Sequence, residues 1–117
     1  MAGPAARGVV VVLTTVGRGS GEGLAERLVS SGVAACVSIV PARSVYFWRG
    51  RVVRDDEDLL LIKTSIDRLG DLLRELRGSH PYEVPEVLIL PVAGFGAEYG
   101  EWVEEVTARL KNRGAGP

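Results

Sequence analysis

Apolar residues along this chain of 117 residues fall into runs typical of strands and spacings typical of helices. Residues 9–15 form a continuous run rich in valine and threonine, as in a strand buried on both faces. Residues 22–31 then carry apolar side chains four positions apart, which predicts an amphipathic helix. Gly32 follows, and it is predicted to end that helix in a left-handed conformation.

A long β-hairpin is predicted next. Residues 33–48 are interpreted as the second strand, in which Pro41 is expected to introduce a bulge or a bend. Arg49-Gly50 is a hairpin turn signal, and the third strand returns over residues 52–64. Each arm would measure about 45 Å if fully extended, which exceeds the usual length of a strand.

The second half of the chain completes an alternating order of elements. Leucines between residues 69 and 76 have helical spacing, and Gly78 is expected to stop that helix. An apolar strand follows at 87–90, and a last helix covers about 98–110. The order predicts an α+β fold: a ferredoxin-like βαββαβ sandwich with an additional C-terminal helix and a long protruding hairpin.

This fold is expected to form one domain over residues 8–112, with flexible tails at 1–7 and 113–117. Its non-alternating apolar strands need cover on both faces, whereas the helices of such a sandwich lie on one face. A second copy of the chain would supply the missing cover. Tyr46, Phe47 and Trp48, near the hairpin end, are then expected to contact a neighbour. The alternative is a bent hairpin that folds back on its own sheet.

Charge and composition exclude several classes of partner and of location. A net charge of −1 argues against a nucleic-acid partner, which would require a basic surface. The apolar runs are too short for a membrane span or a signal-peptide core, so a cytoplasmic protein without a membrane partner is predicted. The single cysteine excludes an internal disulfide.

The one histidine of the chain lies in the segment 79–86, Ser-His-Pro-Tyr-Glu-Val-Pro-Glu, which its two prolines stiffen. His80 is a candidate metal ligand, and the alternative is a loop histidine that donates to a backbone carbonyl. Cys36 is a second candidate, and its alternative is a small buried apolar residue. One histidine and one cysteine cannot close a tetrahedral site, so carboxylates or a neighbouring subunit would have to complete it.

The acidic run 55–58 offers oxygen ligands, but alternation along a strand lets at most two of the four side chains converge. A solvated stretch is therefore favoured over a site. Lys63 follows a buried run and could bind an anion in a cleft. For the aromatic residues Trp48, Tyr46, Tyr82 and Trp102, packing in subunit contacts is favoured over stacking against a ligand. Ser79, His80 and Glu83 are adjacent without forming a catalytic triad, and no known catalytic motif occurs, so no enzyme activity is expected.

Several of these segments, in this order, carry a family resemblance. They are Val11–Thr15, Ala34–Val37, Ser44–Gly50, Leu61–Thr64, His80–Glu86 and Tyr99–Trp102. The chain resembles the CutA divalent-cation-tolerance family from about residue 8 to residue 107. The resemblance implies a tight PII-like homotrimer with clefts between subunits, in the cytoplasm of bacteria or in organelles. It also implies a link to copper and other divalent cations without an obligatory cofactor, and an acid at Glu57 as a third metal-ligand candidate.

Two positions depart from the pattern. Some members of the resembling family have a cysteine where this chain has Thr14, and some have a second histidine where it has Ser79. Any metal site is therefore expected to be sparser here. The leading hypothesis is a homotrimeric divalent-cation-binding tolerance protein with weak inter-subunit sites. The alternative is a PII-like signalling module in which Lys63, Tyr82 and Glu83 line the cleft between subunits and bind a small anionic metabolite there, whose presence is relayed to a protein partner.

Overall fold

The computed structural model describes residues 8–114, with side chains described through residue 108. Its elements are β1 (Val9–Gly17), α1 (Gly21–Ser30), β2 (Cys36–Trp48), β3 (Arg51–Ser65), a short 3-10 turn (Ile66–Arg68), α2 (Leu69–Ser79), β4 (Val87–Pro91) and α3 (Ala97–Gly114). The predicted tail at 1–7 and the last three residues of the predicted tail at 113–117 lie outside the described residues. Among the described residues, no helix combines the length and apolar character that crossing a membrane requires.

The four strands form one antiparallel sheet in the order β2-β3-β1-β4. This order, with α1 after β1 and α2 after β3, confirms the predicted α+β ferredoxin-like sandwich. Helices α1 and α2 cover one face of the sheet. The main core between them contains Val12, Val16, Leu28, Leu60, Ile62, Leu72 and Leu76, all of which are almost completely buried.

Helix α3 covers one end of the opposite face. Val103 of α3 packs with Val9 and Ala35 in a second small core, and the hydroxyls of Ser65 and Thr107 lie 3.2 Å apart. No helix of the described residues covers the rest of this face. Cross-strand partners share a face in an antiparallel sheet, so the register places a row of apolar side chains there: Val11, Leu13, Val40, Leu59, Leu61, Leu88 and Leu90. We call this row the open face, and Val40 and Leu88 are 41% and 48% exposed on it.

The hairpin of β2 and β3 extends beyond the rest of the sheet, because β1 pairs with β3 only from Glu57 onward. Its turn consists of Arg49 and Gly50, both with positive φ, which matches the right-handed twist of the two strands. The predicted bulge at Pro41 is wrong, since Pro41 pairs in continuous register with Asp58. β2 is an outer strand, where a residue without an N–H is tolerated.

Two helix ends test the glycine predictions. Gly32 has φ of 83° just after α1, which confirms the left-handed end. Gly78 does not stop α2, and that prediction is wrong because the helix continues through Ser79. The helix ends where His80 turns extended, with ψ of 133°. The cause is Pro81, which disfavours helical geometry in the preceding residue.

The acidic run is not uniformly solvated, which corrects the interpretation from sequence. Glu57 and Asp58 are only 4% and 7% exposed. Asp58 Oδ2 accepts hydrogen bonds from the backbone N–H groups of Gly19 (2.9 Å) and Gly21 (3.0 Å), and Oδ1 lies 3.5 Å from Arg18 Nε. This carboxylate therefore satisfies N–H groups at the start of α1, where the helix dipole also favours a negative charge.

Replacing that carboxylate should destabilise the protein. We expect Asp58→Ala to lower the free energy of unfolding by about 2–3 kcal/mol, because it removes two charge-assisted hydrogen bonds at a buried position. Asp56→Ala is the matched control, since Asp56 is an exposed acid on the same strand with a long ion pair to Arg43. It should change stability by less than about 0.5 kcal/mol. Urea unfolding at one fixed protein concentration measures both, and equal losses would contradict the assigned role of Asp58.

Candidate functional site

A cleft of about 800 Å³ lies between the hairpin and the proline-stiffened segment 80–86. The hairpin contributes side chains of one face: Ser44, Tyr46, Trp48, Asp55 and Glu57, with Val45 at the edge. The opposite wall consists of Pro81, Tyr82, Glu83, Val84, Pro85 and Glu86, and Thr15 closes the inner end. The cleft thus occupies the end of the open face that α3 does not cover. We call it the acidic cleft because four of these side chains are carboxylates.

The proline segment lies beside β1 because β4 is short. The last pair between these strands joins Thr14 and Val87, so β1 continues without a β4 partner from Thr15 onward. The Thr14 hydroxyl donates to the backbone carbonyl of Glu86 (2.6 Å), and the Thr15 hydroxyl lies 3.4 Å from Glu86 Oε1. These contacts hold the segment against the free edge of β1.

His80 completes this attachment. Its Nε2 lies 3.0 Å from the carbonyl oxygen of Thr15 and 3.0 Å from the Thr14 hydroxyl oxygen. A carbonyl only accepts, so Nε2 carries the proton and donates it. The backbone N–H of Tyr82 donates to Nδ1 (3.1 Å). Both ring nitrogens are therefore engaged in one tautomer, and His80 takes the place of a β4 hydrogen bond. The alternative of a loop histidine donating to a backbone carbonyl is the arrangement seen.

Burial lowers the pKa of His80, while the hydrogen bond to Thr15 and the charge of Glu57 oppose that shift. The ring of His80 packs against that of Tyr82, with centroids 5.1 Å apart. The Tyr82 hydroxyl in turn donates to Glu57 Oε2 (2.8 Å). Burial, this hydrogen bond and the nearby acids raise the pKa of Tyr82, which keeps it a protonated donor. A chain of contacts thus connects β1, the proline segment and Glu57.

The acidic cleft is strongly negative. Besides Glu57, Asp55 accepts a hydrogen bond from the Tyr46 hydroxyl, and Glu86 from Thr15. Glu83 pairs with Arg49 at the rim (3.1 Å). No lysine or arginine lines the cleft among the described residues. A cleft with four carboxylates and no basic lining attracts cations and repels anions.

The three predicted metal ligands are not brought together within one chain. Cys36 pairs with Lys63, which lies six residues along β3 from Glu57. At a strand rise of about 3.3 Å per residue, Cys36 and Glu57 are about 20 Å apart, whereas a metal–ligand bond measures about 2 Å. The described residues contain no group of three or more His, Cys, Asp and Glu side chains placed to hold a metal ion. Metal binding by His80, Cys36 or Glu57 therefore stays a prediction that requires ligands from another copy.

The predicted cleft residues are also not all brought together within one chain. Tyr82 and Glu83 line the acidic cleft, but Lys63 lies about 20 Å along β3 from Glu57 and its Nζ contacts the Ser38 hydroxyl (2.6 Å). Asp55 and Glu86 were missed as lining residues. Alternation along β3 pairs Asp55 with Glu57 on one face and could have identified it.

Four of the predicted interface residues are exposed in the single chain, whereas the fifth, Tyr82, is half-buried. Phe47 is 71% exposed, and Tyr46, Trp48 and Trp102 are about 40% exposed. Trp48 and Tyr46 also line the acidic cleft. Their contact with a neighbouring copy stays a prediction.

Comparisons with known proteins identify a family. A family model described as CutA1 divalent ion tolerance protein matches residues 9–106. The chain is 42% identical over 100 residues to the protein CutA 1, chloroplastic, of Oryza sativa, covering 85% of this chain and 56% of that protein. It is 41% identical over 99 residues to the divalent-cation tolerance protein CutA of Thermus thermophilus, covering 84% and 96%. The chain thus spans little more than half of the plant relative and nearly all of the bacterial one.

The fold agrees with these matches. The solved structure of the PII-like protein CutA from Nostoc sp. PCC 7120 superimposes with a TM-score of 0.81 at 32% identity, covering 84% of this chain and 96% of that one. The predicted resemblance to CutA and the PII-like character of the fold are confirmed.

The single histidine provides a direct test of the site geometry. We expect an NMR titration of His80 to give a pKa below 6.5 and ring ¹⁵N shifts of the Nε2–H tautomer. Between the lowered pKa and about 6.5, the unfolded chain binds a proton that the native chain does not. The free energy of unfolding should therefore fall as the pH falls through that window, and His80→Gln should flatten the dependence. A midpoint at or above 6.5 would contradict this geometry.

Proposed function

The chain belongs to the CutA1 divalent ion tolerance family, and from that membership we propose that it is a homotrimer that binds divalent cations such as Cu²⁺ weakly. The observation that carries the proposal is the acidic cleft. Asp55, Glu57 and Glu86 each accept a hydrogen bond from a neutral hydroxyl. None of the three forms an ion pair among the described residues. Their negative charge is thus available to a cation.

Weak binding follows from the ligand set. Carboxylate oxygens suit divalent cations, but one chain offers too few of them at one point for a closed coordination shell. Water or groups of a neighbouring copy must complete the shell. A partly hydrated ion held by few protein ligands exchanges readily, which fits buffering of excess cation better than storage.

The homotrimer is supported by the surface of the single chain. The open face carries half-exposed aliphatic side chains, and the hairpin carries Phe47 and Val52 at 71% and 57% exposure. By register, Phe47 and Val52 lie on the hairpin face opposite to the open face, so the chain exposes apolar side chains on both faces of its sheet. Exposed apolar surface of this extent on a small protein is typical of an interface. The PII-like fold class of the Nostoc relative is in keeping with that assembly.

Two further parts of the proposal concern chemistry and location. We favour a cation-binding protein over the alternative signalling module for an anionic metabolite, because Lys63 lies outside the acidic cleft. The relatives' names describe a tolerance protein and not an enzyme. We propose a cytoplasmic location for this chain, while the Oryza relative is called chloroplastic.

The oligomeric state is measurable by light scattering coupled to size-exclusion chromatography. We expect a particle of three times the 12.5 kDa chain mass at micromolar concentration. Leu88→Glu should dissociate it, because an unpaired charge buried at an interface costs several kcal/mol. Ile66→Glu is the control, since Ile66 is equally exposed (48%) but follows β3 outside the sheet. A monodisperse 12.5 kDa wild-type particle would refute the trimer.

Cation binding is tested by calorimetry with Cu²⁺ on the trimer. We expect Glu57→Gln to weaken binding about tenfold, since it removes a buried negative charge while keeping an acceptor for Tyr82. Asp56→Asn, which changes an acid outside the acidic cleft, should leave the affinity within about twofold. Equal affinities for wild type and Glu57→Gln would place the metal elsewhere.

A further inference from the structure

The rim of the acidic cleft already holds a cation that the chain itself supplies. The Arg49 guanidinium carbon lies 5.4 Å from the centroid of the Trp48 ring, and Nη2 lies 3.1 Å from Glu83 Oε2. A flat cation above an aromatic ring and beside a carboxylate is a general arrangement for binding organic cations. The rim therefore shows that an aromatic ring and a carboxylate of this cleft together can hold a guanidinium cation.

The interior of the cleft also combines aromatic rings with carboxylates. Tyr46 and Tyr82 direct their hydroxyls at Asp55 and Glu57, respectively. These phenols fix the carboxylates in place without neutralising them. Glu57 is only 4% exposed and lines the cleft, so its charge is largely removed from water. A cation that enters the cleft would find aromatic rings and fixed carboxylates, but no described basic side chain in the lining.

The volume of the cleft fits an organic cation better than a single metal ion. A volume of about 800 Å³ lies in the range of small-molecule sites, which run from about 300 to about 1,000 Å³. A single metal ion, even with the few waters that complete its shell, would leave most of that space empty. Pro81, Val84 and Pro85 add an apolar wall that offers a metal no ligand but packs well against methylene groups.

We propose that the acidic cleft binds an organic cation, namely a primary amine or a guanidinium on a short methylene chain. Its charged head lies beside Glu57 and Asp55, and its stem lies against Val84 and Pro85. This binding activity goes beyond the divalent-cation proposal and does not depend on it. Aromatic and apolar walls are needed for the organic ligand, whereas the metal requires only oxygen ligands.

The test uses a pair of matched probes on the full-length protein in its native oligomeric state, with EDTA present to remove metal. Butylguanidinium and butylurea have the same shape, but only the first is charged. We expect butylguanidinium to shift the NMR signal of the Trp48 indole N–H with a dissociation constant on the order of 1 mM. Trp102→Phe assigns that signal, because the chain has two tryptophans. Butylurea should bind at least about tenfold more weakly.

Two variants locate the site. Glu57→Gln should weaken butylguanidinium binding about tenfold, whereas Asp56→Asn should leave it within about twofold. Equal binding of the two probes, equal binding by wild type and Glu57→Gln, or no shift at about ten times the expected dissociation constant would each overturn the proposal. The last result is also what a neighbouring copy filling the cleft would give. Because this experiment is done without metal, a negative result does not contradict the proposed Cu²⁺ binding. In the same way, a negative Cu²⁺ calorimetry result does not contradict binding of the organic cation.

Discussion

The alternation of side chains along β3 decides where the charged and apolar groups of this protein lie. Successive residues of a strand point to opposite faces, so the even positions from Asp58 to Thr64 face α1 and α2 and are buried. The odd positions face the other way and run from Asp55 and Glu57, through Leu59 and Leu61, to Lys63. A shift of one residue would exchange the two sets. Glu57 would then meet the helices, and the N–H groups at Gly19 and Gly21 would lose their acceptor.

The same alternation explains how much the sequence could predict. The order of elements, the long hairpin and the convergence of at most two acids follow from spacing and from turn residues, and the structure has all three. Pro41 was misjudged because proline is excluded only where its missing N–H would face a neighbouring strand, and the strand order is a long-range property. Gly78 was misjudged because a stronger local restriction, the Pro81 ring, lies three residues further on.

The candidate site was harder to predict because its members come from three distant segments. His80 was identified as chemically unusual, but its partners are Thr14 and Thr15, which lie more than sixty residues earlier. Only the short length of β4 leaves the Thr15 carbonyl in need of a donor, and no local pattern indicates where β4 stops relative to β1. Lys63 lies far from the acidic cleft of its own chain for a similar reason, since a strand of 15 residues separates its two ends by more than the width of a site. Its place in a cleft between subunits stays a prediction.

One sheet face therefore changes character along its length: it is capped by α3 at one end, apolar in the middle and acidic at the far end. If copies associate through the apolar middle, the acidic cleft lies at the rim of the interface, where water still enters. Asp55 and Glu86 are exposed and keep part of their hydration, so they attract a cation less strongly than the buried Glu57 does, because solvent screens the attraction. The weak affinity that we propose thus depends on the position of the carboxylates on the sheet and not on their number alone. The Tyr46 and Tyr82 hydroxyls act in the same direction, since each occupies a site on a carboxylate that a cation would otherwise use.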